Sequence, residues 1–204
     1  MKRAAFGLSG VVSLALLVGL AAASTDAEAA KRRCPKVAGA LQSDVATVYV
    51  RSYDDPDGGA ENRLVGCSKT TERKTVLGGW FWQGSSTDQP APQFWLTGRY
   101  AAVNQAACPN DPFSSDPCVA RFRVVDLRTG RRVAEVGLVS PIEELVLLRS
   151  GSAGFIHRGE VVTVVGSVSQ VRDPKADAGS LAYAQRAGRL YWTSGGEARS
   201  LTLR

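Results

Sequence analysis

The chain has 204 residues, 44% of them hydrophobic, with 25 basic against 19 acidic side chains and one histidine. A single histidine excludes multi-histidine metal chemistry, and a formal charge of +6 is too modest to mark a nucleic-acid binder. Length and apolar content suffice for one domain with a sizeable core.

Lys2 and Arg3 open the chain, and no charged side chain follows from Ala4 to Thr25, where Val11 to Leu20 is the most apolar part. A positive end, an apolar centre and a small-residue exit predict a secretory signal peptide over 1–29. Ala21 and Ala23 support cleavage after Ala23; Ala27 and Ala29 support cleavage after Ala29. The most apolar centre is shorter than the roughly 20 residues of a spanning helix, and no later stretch is long and apolar enough. The expected product is therefore secreted or extracytoplasmic, with no stable transmembrane anchor after cleavage. Removing 1–23 takes two basic residues and no acid, which lowers the formal charge from +6 to +4. Lys31, Arg32 and Arg33 lie in an N-terminal arm over 30–43, and 44–204 reads as a single strand-rich domain. The same three cations argue against Cys34 as a lipid attachment site.

The four cysteines are an even set in a chain bound for an oxidising compartment, so two disulfides are expected. Of the three formal pairings, Cys34 with Cys67 and Cys108 with Cys118 is the expected one. The second pair closes CPNDPFSSDPC, whose prolines and polar residues have little reason to be ordered without a clip. No cysteine sits in a C-x-x-C pair, so no metal site is expected.

From about residue 44 the pattern is that of strands. DVATVYVRSY alternates Val45, Thr47, Tyr49 and Arg51 against Ala46, Val48 and Val50. Asp54 to Asn62 is a turn-rich loop, and RLVGCSKTTERKTVLGG gives two short strands around a turn near Thr71 to Arg73. WFWQG is a further strand, followed by a loop over Gly84 to Pro92 and a strand in QFWLTGRYAAVN. The clearest signal is a hairpin: strands over Ala120 to Leu127 and Arg131 to Leu138, with Gly130 supplying the positive backbone angle at the turn between them. Pro141 to Leu148 fits either one helix or a strand after a bend. Strands resume in GFIHRG, EVVTVVGSVSQVR, SLAYAQRAGRLYWTSG and EARSLTLR. Three segments (ENRLVGCSKTTERKTVLG, ARFRVVDLRTGRRVAEVG and GRLYWTSGGEARSLTL) share an apolar strand, a polar turn and a second apolar strand, as stacked antiparallel units would.

The hairpin VVDLRTGRRVAEV, a strand, Asp-Leu-x-Thr-Gly-x-x and a second strand, resembles the outer two strands of a blade in bacterial secreted β-propeller-like proteins. The resemblance implies four-stranded blades around an axis, used for binding or protein assembly and occasionally for catalysis, and the mature length allows three or four of them. The expected fold is mainly β, antiparallel sheets in a small or partial β-propeller-like arrangement, with a β-sandwich or barrel as the alternative.

No residue set specifies a reaction. His157 lacks a nucleophile at a recognised spacing and reads as a strand-end or turn histidine. Asp54, Asp55 and Asp57, with Glu61 and Asn62, supply oxygen atoms for calcium but read as an ordinary solvated turn. No phosphate-cradling glycine loop occurs and no cofactor is expected. Trp80 and Trp82, two apart on one strand, are candidate platform residues for a sugar ring or a protein side chain, with core packing as the competing account. Arg121 and Arg123, in a stripe with Arg128, Arg131 and Arg132, are candidate contacts to an anionic partner, against a solvated sheet face. The sequence thus points to a noncatalytic binding or assembly domain contacting an envelope protein or an extracellular polymer, with no nucleic acid. The alternative is a hydrolase or lyase acting on carbohydrate or peptide.

Overall fold

A computed structural model describes residues 33–54, 60–82, 91–107, 119–138 and 142–203. The fold described below is that of the compact unit Cys34–Arg204. It is mainly β, with four antiparallel sheets and no helix among the described residues.

Each sheet is a meander in which consecutive strands pair. Sheet 1 holds β1 (Leu41–Gln42), β2 (Ala46–Asp54), β3 (Ala60–Ser68) and β4 (Lys74–Trp82). Sheet 2 holds β5 (Gln93–Thr97), β6 (Tyr100–Ala107), β7 (Val119–Asp126) and β8 (Arg131–Leu138). Sheet 3 holds β9 (Glu144–Leu147), β10 (Ala153–His157), β11 (Glu160–Val165) and β12 (Val168–Asp173). Sheet 4 has three strands, β13 (Ala182–Ala184), β14 (Arg189–Ser194) and β15 (Glu197–Thr202). None of the four closes on itself.

The sheets stack in chain order, because alternation sends each strand's apolar residues to two different neighbours. Ala46, Val48, Leu64 and Leu77 of sheet 1 pack on Ala101, Val103, Val125 and Leu127 of the second. Ala102, Phe122 and Val124 face the other way, onto Phe155, Val162 and Val164 of sheet 3, with the Phe122 and Phe155 rings 5.1 Å apart. Ile156 and Val161 then meet Leu190, Trp192 and Leu203 at sheet 4. Close approach needs small residues at two seams. A Cβ at Gly66 would sit 2.3 Å from Leu127, and one at Gly154 2.6 Å from Leu190.

The remaining face of sheet 1 is covered from the N-terminal side. Cys34, Val37 and Ala40 pack on Tyr49, Val65 and Cys67, and the Cys34–Cys67 disulfide fixes them there. That pairing is the expected one; Cys108 and Cys118 lie outside the described residues.

Polar side chains in or just after the short first strands of sheets 1, 2 and 3 tie each to the next sheet. Ser43 Oγ donates to the Gly98 carbonyl (2.7 Å). Gln93 brackets the Ile142 backbone, its Nε2 donating to the carbonyl (3.0 Å) and its Oε1 accepting from the amide (3.2 Å). Glu144 accepts from the amides of Gly179 and Leu181. These contacts explain the ambiguous 141–148 segment: with its backbone held by Gln93, it extends into β9.

The hairpin at 119–138 has the expected form. Asp126 accepts from the Arg128 amide (3.0 Å), the Gly130 amide bonds the Asp126 carbonyl (2.7 Å), and Gly130 takes φ 71°. Of the three similar segments, the first two are third-to-fourth-strand hairpins of consecutive sheets. The third is β14–β15, a second-to-third-strand hairpin.

Candidate functional site

In a four-stranded meander, the turns after the first and third strands fall at one end. Contacts between neighbouring sheets put these turns together throughout the stack. The Thr71 hydroxyl reaches the Arg128 carbonyl (3.5 Å), Gly98 lies against Arg149, and Gly151 lies against the Tyr100 ring. The described connections at this end carry Lys69, Arg73, Arg99, Arg128, Arg149 and Arg186 against Asp44 and Glu72. At the other end, the described connections carry Glu143 and Asp177 against Arg158 and Lys175, an even balance. One end of the stack is therefore markedly basic.

Three of these arginines share a local cause. Arg128, Arg149 and Arg186 each stand two residues before a glycine of positive φ: Gly130 (71°), Gly151 (85°) and Gly188 (62°). The glycine makes the tight turn and leaves the preceding arginine exposed at its tip. Arg-x-Gly at 128–130, 149–151 and 186–188 is visible in the sequence, but only as turn punctuation. Its grouping at one end needs the topology.

Two clefts open on this end. The first, about 400 Å³, lies between sheets 1 and 2 and is lined by Val45, Thr70, Thr71, Arg99 and Arg128. Arg99 is held in place: its Nη2 donates to the Tyr100 hydroxyl (2.7 Å) and its Nε lies 3.4 Å from Asp126 Oδ2. The Tyr100 hydroxyl, then the Asp126 carboxylate, hold its guanidinium charged, above its already high range. Arg128 is exposed beside it.

The second cleft, about 370 Å³, spans the inner turns of sheets 2, 3 and 4. Leu147, Leu148, Leu203 and Tyr183 give it an apolar lining, and Thr97, Ser150, Gln185 and Arg149 supply polar groups. An apolar wall with a few polar groups, at this size, suits a small ring or one unit of a polymer.

The residues singled out in the sequence lie elsewhere. Trp80 is partly buried against the core between sheets 1 and 2, the packing account of that residue. Trp82 ends β4, and its side chain lies outside the described residues. Arg121 and Arg123 are separated by their surroundings although they alternate on one side of β7. Arg121 is exposed, 4.0 Å from Glu135. Arg123 is half-buried in the seam, where its Nη2 donates to Gln105 Oε1 (3.0 Å) and Gln105 in turn donates to the Gly79 carbonyl (2.5 Å). Burial first, then the neighbouring Arg132, pull its pKa below the usual arginine range.

His157 ends β10 and is buried. Ser150 and Ser152 precede the other end of that strand, so Ser152 is about 17 Å away along the strand at ~3.4 Å per residue. Of the calcium candidates, Asp55 and Asp57 lie outside the described residues. Glu61 is held by Arg63 (2.6 Å) and Asn62 accepts from Ser52 (2.6 Å). No helix among the described residues is long and apolar enough to cross a membrane. No known family model and no curated protein matches the sequence.

Proposed function

We propose that this is an extracytoplasmic, noncatalytic domain that binds an acidic polysaccharide through its basic, turn-bearing end. The observation that carries the reading is the combination, on one end, of six exposed or half-exposed cations with two clefts of mixed lining. A sugar ring presents apolar C–H faces and hydroxyls, which match Tyr183 and the leucines on one hand and Thr97, Ser150 and Gln185 on the other. Its carboxylate or sulfate groups match Arg149 in one cleft and Arg99 with Arg128 in the other. Clefts in succession along one end suit a chain of units.

The same reading takes the sheets as blades of a propeller-like array. Its support is the succession of short first strands, those of sheets 1, 2 and 3 tied to the next sheet through Ser43, Gln93 and Glu144. The signal-like N-terminus and the disulfide are compatible with an oxidising compartment.

The test is binding of fluorescent dextran sulfate to the oxidised mature protein at low and physiological salt. Arg128→Glu with Arg149→Glu is expected to weaken binding on the order of tenfold, and added salt to weaken the wild type, since exposed charges are screened beyond about 8 Å. Arg158→Glu with Lys175→Glu, at the opposite end, is expected to change it less than about twofold. Equal losses from both pairs, or no binding by the wild type, overturn the reading.

A further inference from the structure

The edge of sheet 4 differs from the other three outer edges. Sheets 1, 2 and 3 each end in a fourth strand that carries one extra residue: Leu77 in β4, Val133 in β8 and Arg172 in β12. Such a bulge bends and twists an edge strand and interrupts its ladder, which hinders pairing with a foreign strand. β15 has no bulge. It pairs with β14 over six consecutive residues, and the Leu203 amide extends the same register to the Gly188 carbonyl (3.0 Å).

That last bond fixes which backbone groups face outward. In an antiparallel pair alternate residues turn their N–H and C=O toward the partner. Leu203, Leu201, Arg199 and Glu197 therefore address β14, and Ala198, Ser200 and Thr202 turn theirs away from the sheet. All three have small side chains and all are exposed. The edge contains no lysine or proline, the usual guards, and no fourth strand covers it among the described residues.

We propose that β15 pairs antiparallel with β15 of a second copy, making a two-fold dimer with one continuous six-stranded sheet. The edge matches itself. A two-fold axis through Ser200 sets Ser200 opposite Ser200 of the copy, Ala198 opposite its Thr202, and Thr202 opposite its Ala198. These are the three residues whose backbone groups are turned outward, and each pair exchanges two hydrogen bonds. In that register Arg199 falls opposite Leu201 and Glu197 opposite Leu203, so no like charges meet head-on. The arrangement closes and leaves no further edge of this kind to propagate. It depends on neither cleft and stands apart from the polysaccharide reading.

Sedimentation velocity of the oxidised mature protein over a concentration series tests it. The wild type is expected to dimerise. Ser200→Pro removes an outward N–H without touching the ladder to β14, and Ala198→Lys places a guard on the edge; each is expected to weaken association at least tenfold. If Ser200→Pro does not fold, Ala198→Lys carries the same test. Ser200→Cys gives a positive readout: Cα atoms across such a pair are about 5.5 Å apart, within disulfide reach. It should form a covalent dimer under oxidation, and Arg158→Cys at a remote turn should not. A wild type that stays monomeric at all concentrations, or a dimer indifferent to both edge variants, overturns the proposal.

Discussion

Gly66→Ala tests how the stack is held together. The new methyl would lie 2.3 Å from Leu127 Cδ2 and 3.1 Å from Leu77 Cδ1. Carbon atoms pack best at about 3.5–4.0 Å, so Leu127 must retreat by more than about 1 Å. It sits at 0% exposure in the seam, so it must move against packed neighbours. Overfilling of this kind costs about 1–3 kcal/mol, and the stiffer alanine backbone returns about 0.5–1 kcal/mol. The expected net loss is on the order of 1 kcal/mol, within about 0–2.5 kcal/mol, read as a lower urea midpoint at unchanged slope. Leu127→Ala alone is expected to cost about 2–5 kcal/mol, because it empties the same seam. In the double variant the methyl added at position 66 occupies space that the Leu127 side chain has vacated. The combined loss should therefore fall short of the sum of the single losses by about 1 kcal/mol or more. Additivity within about 0.5 kcal/mol would show that the two residues do not meet, and would refute this packing of sheet 1 on sheet 2.

The Cys34–Cys67 bond closes a segment with a sequence separation of 33, so its reduction should lower stability by roughly 4 kcal/mol on chain-entropy grounds. Urea unfolding of the oxidised protein against Cys34→Ala with Cys67→Ala measures this, and an unchanged midpoint would contradict it. Acid should also destabilise the protein through sheet 4. Asp173 is held below the usual carboxylate range first by the Trp192 indole N–H (2.8 Å) and then by the Lys175 amide. Asp177 is held there first by the Gly196 amide, then by Thr193 and the Gly195 amide. Because both folded pKa values are depressed, their contribution is present above the unfolded value near 3.9 and is lost as pH falls through the folded ones. Asp173→Asn and Asp177→Asn should each flatten the acid limb of a stability-against-pH curve, and an unaltered limb would count against these contacts.

Local pattern carries the fold where it is strong. The 119–138 hairpin is readable because Phe122 and Val124 alternate with arginines and Gly130 supplies the turn. Local pattern leaves strand or helix open at 141–148, since what extends that backbone is Gln93, a hydrogen-bond partner 49 residues away in sequence. The third of the similar segments is offset by one strand from the other two, because any two hairpins share the same local pattern; only pairing with the neighbouring strands distinguishes β14–β15 from β3–β4 and β7–β8.

The candidate site is much less legible. Tryptophans and a stripe of arginines on one hairpin stand out because they are close in sequence. Trp80 instead fills the seam, and Arg123 is partly buried there. Arg99, Arg128 and Arg149 are far apart along the chain and share one end of the stack only because meanders of equal sense return their turns there. The bulges that distinguish the guarded edges from β15 are likewise properties of register, which alternation alone does not fix.

Titration of the ¹⁵N-labelled, oxidised mature protein with a short dextran sulfate oligomer would map the binding surface residue by residue. Amide shifts concentrated in 43–45, 69–73, 98–99, 127–130, 148–152 and 185–188 are the predicted result. Shifts concentrated instead at 158–159, 174–181 and 195–196, on the opposite end, would contradict it.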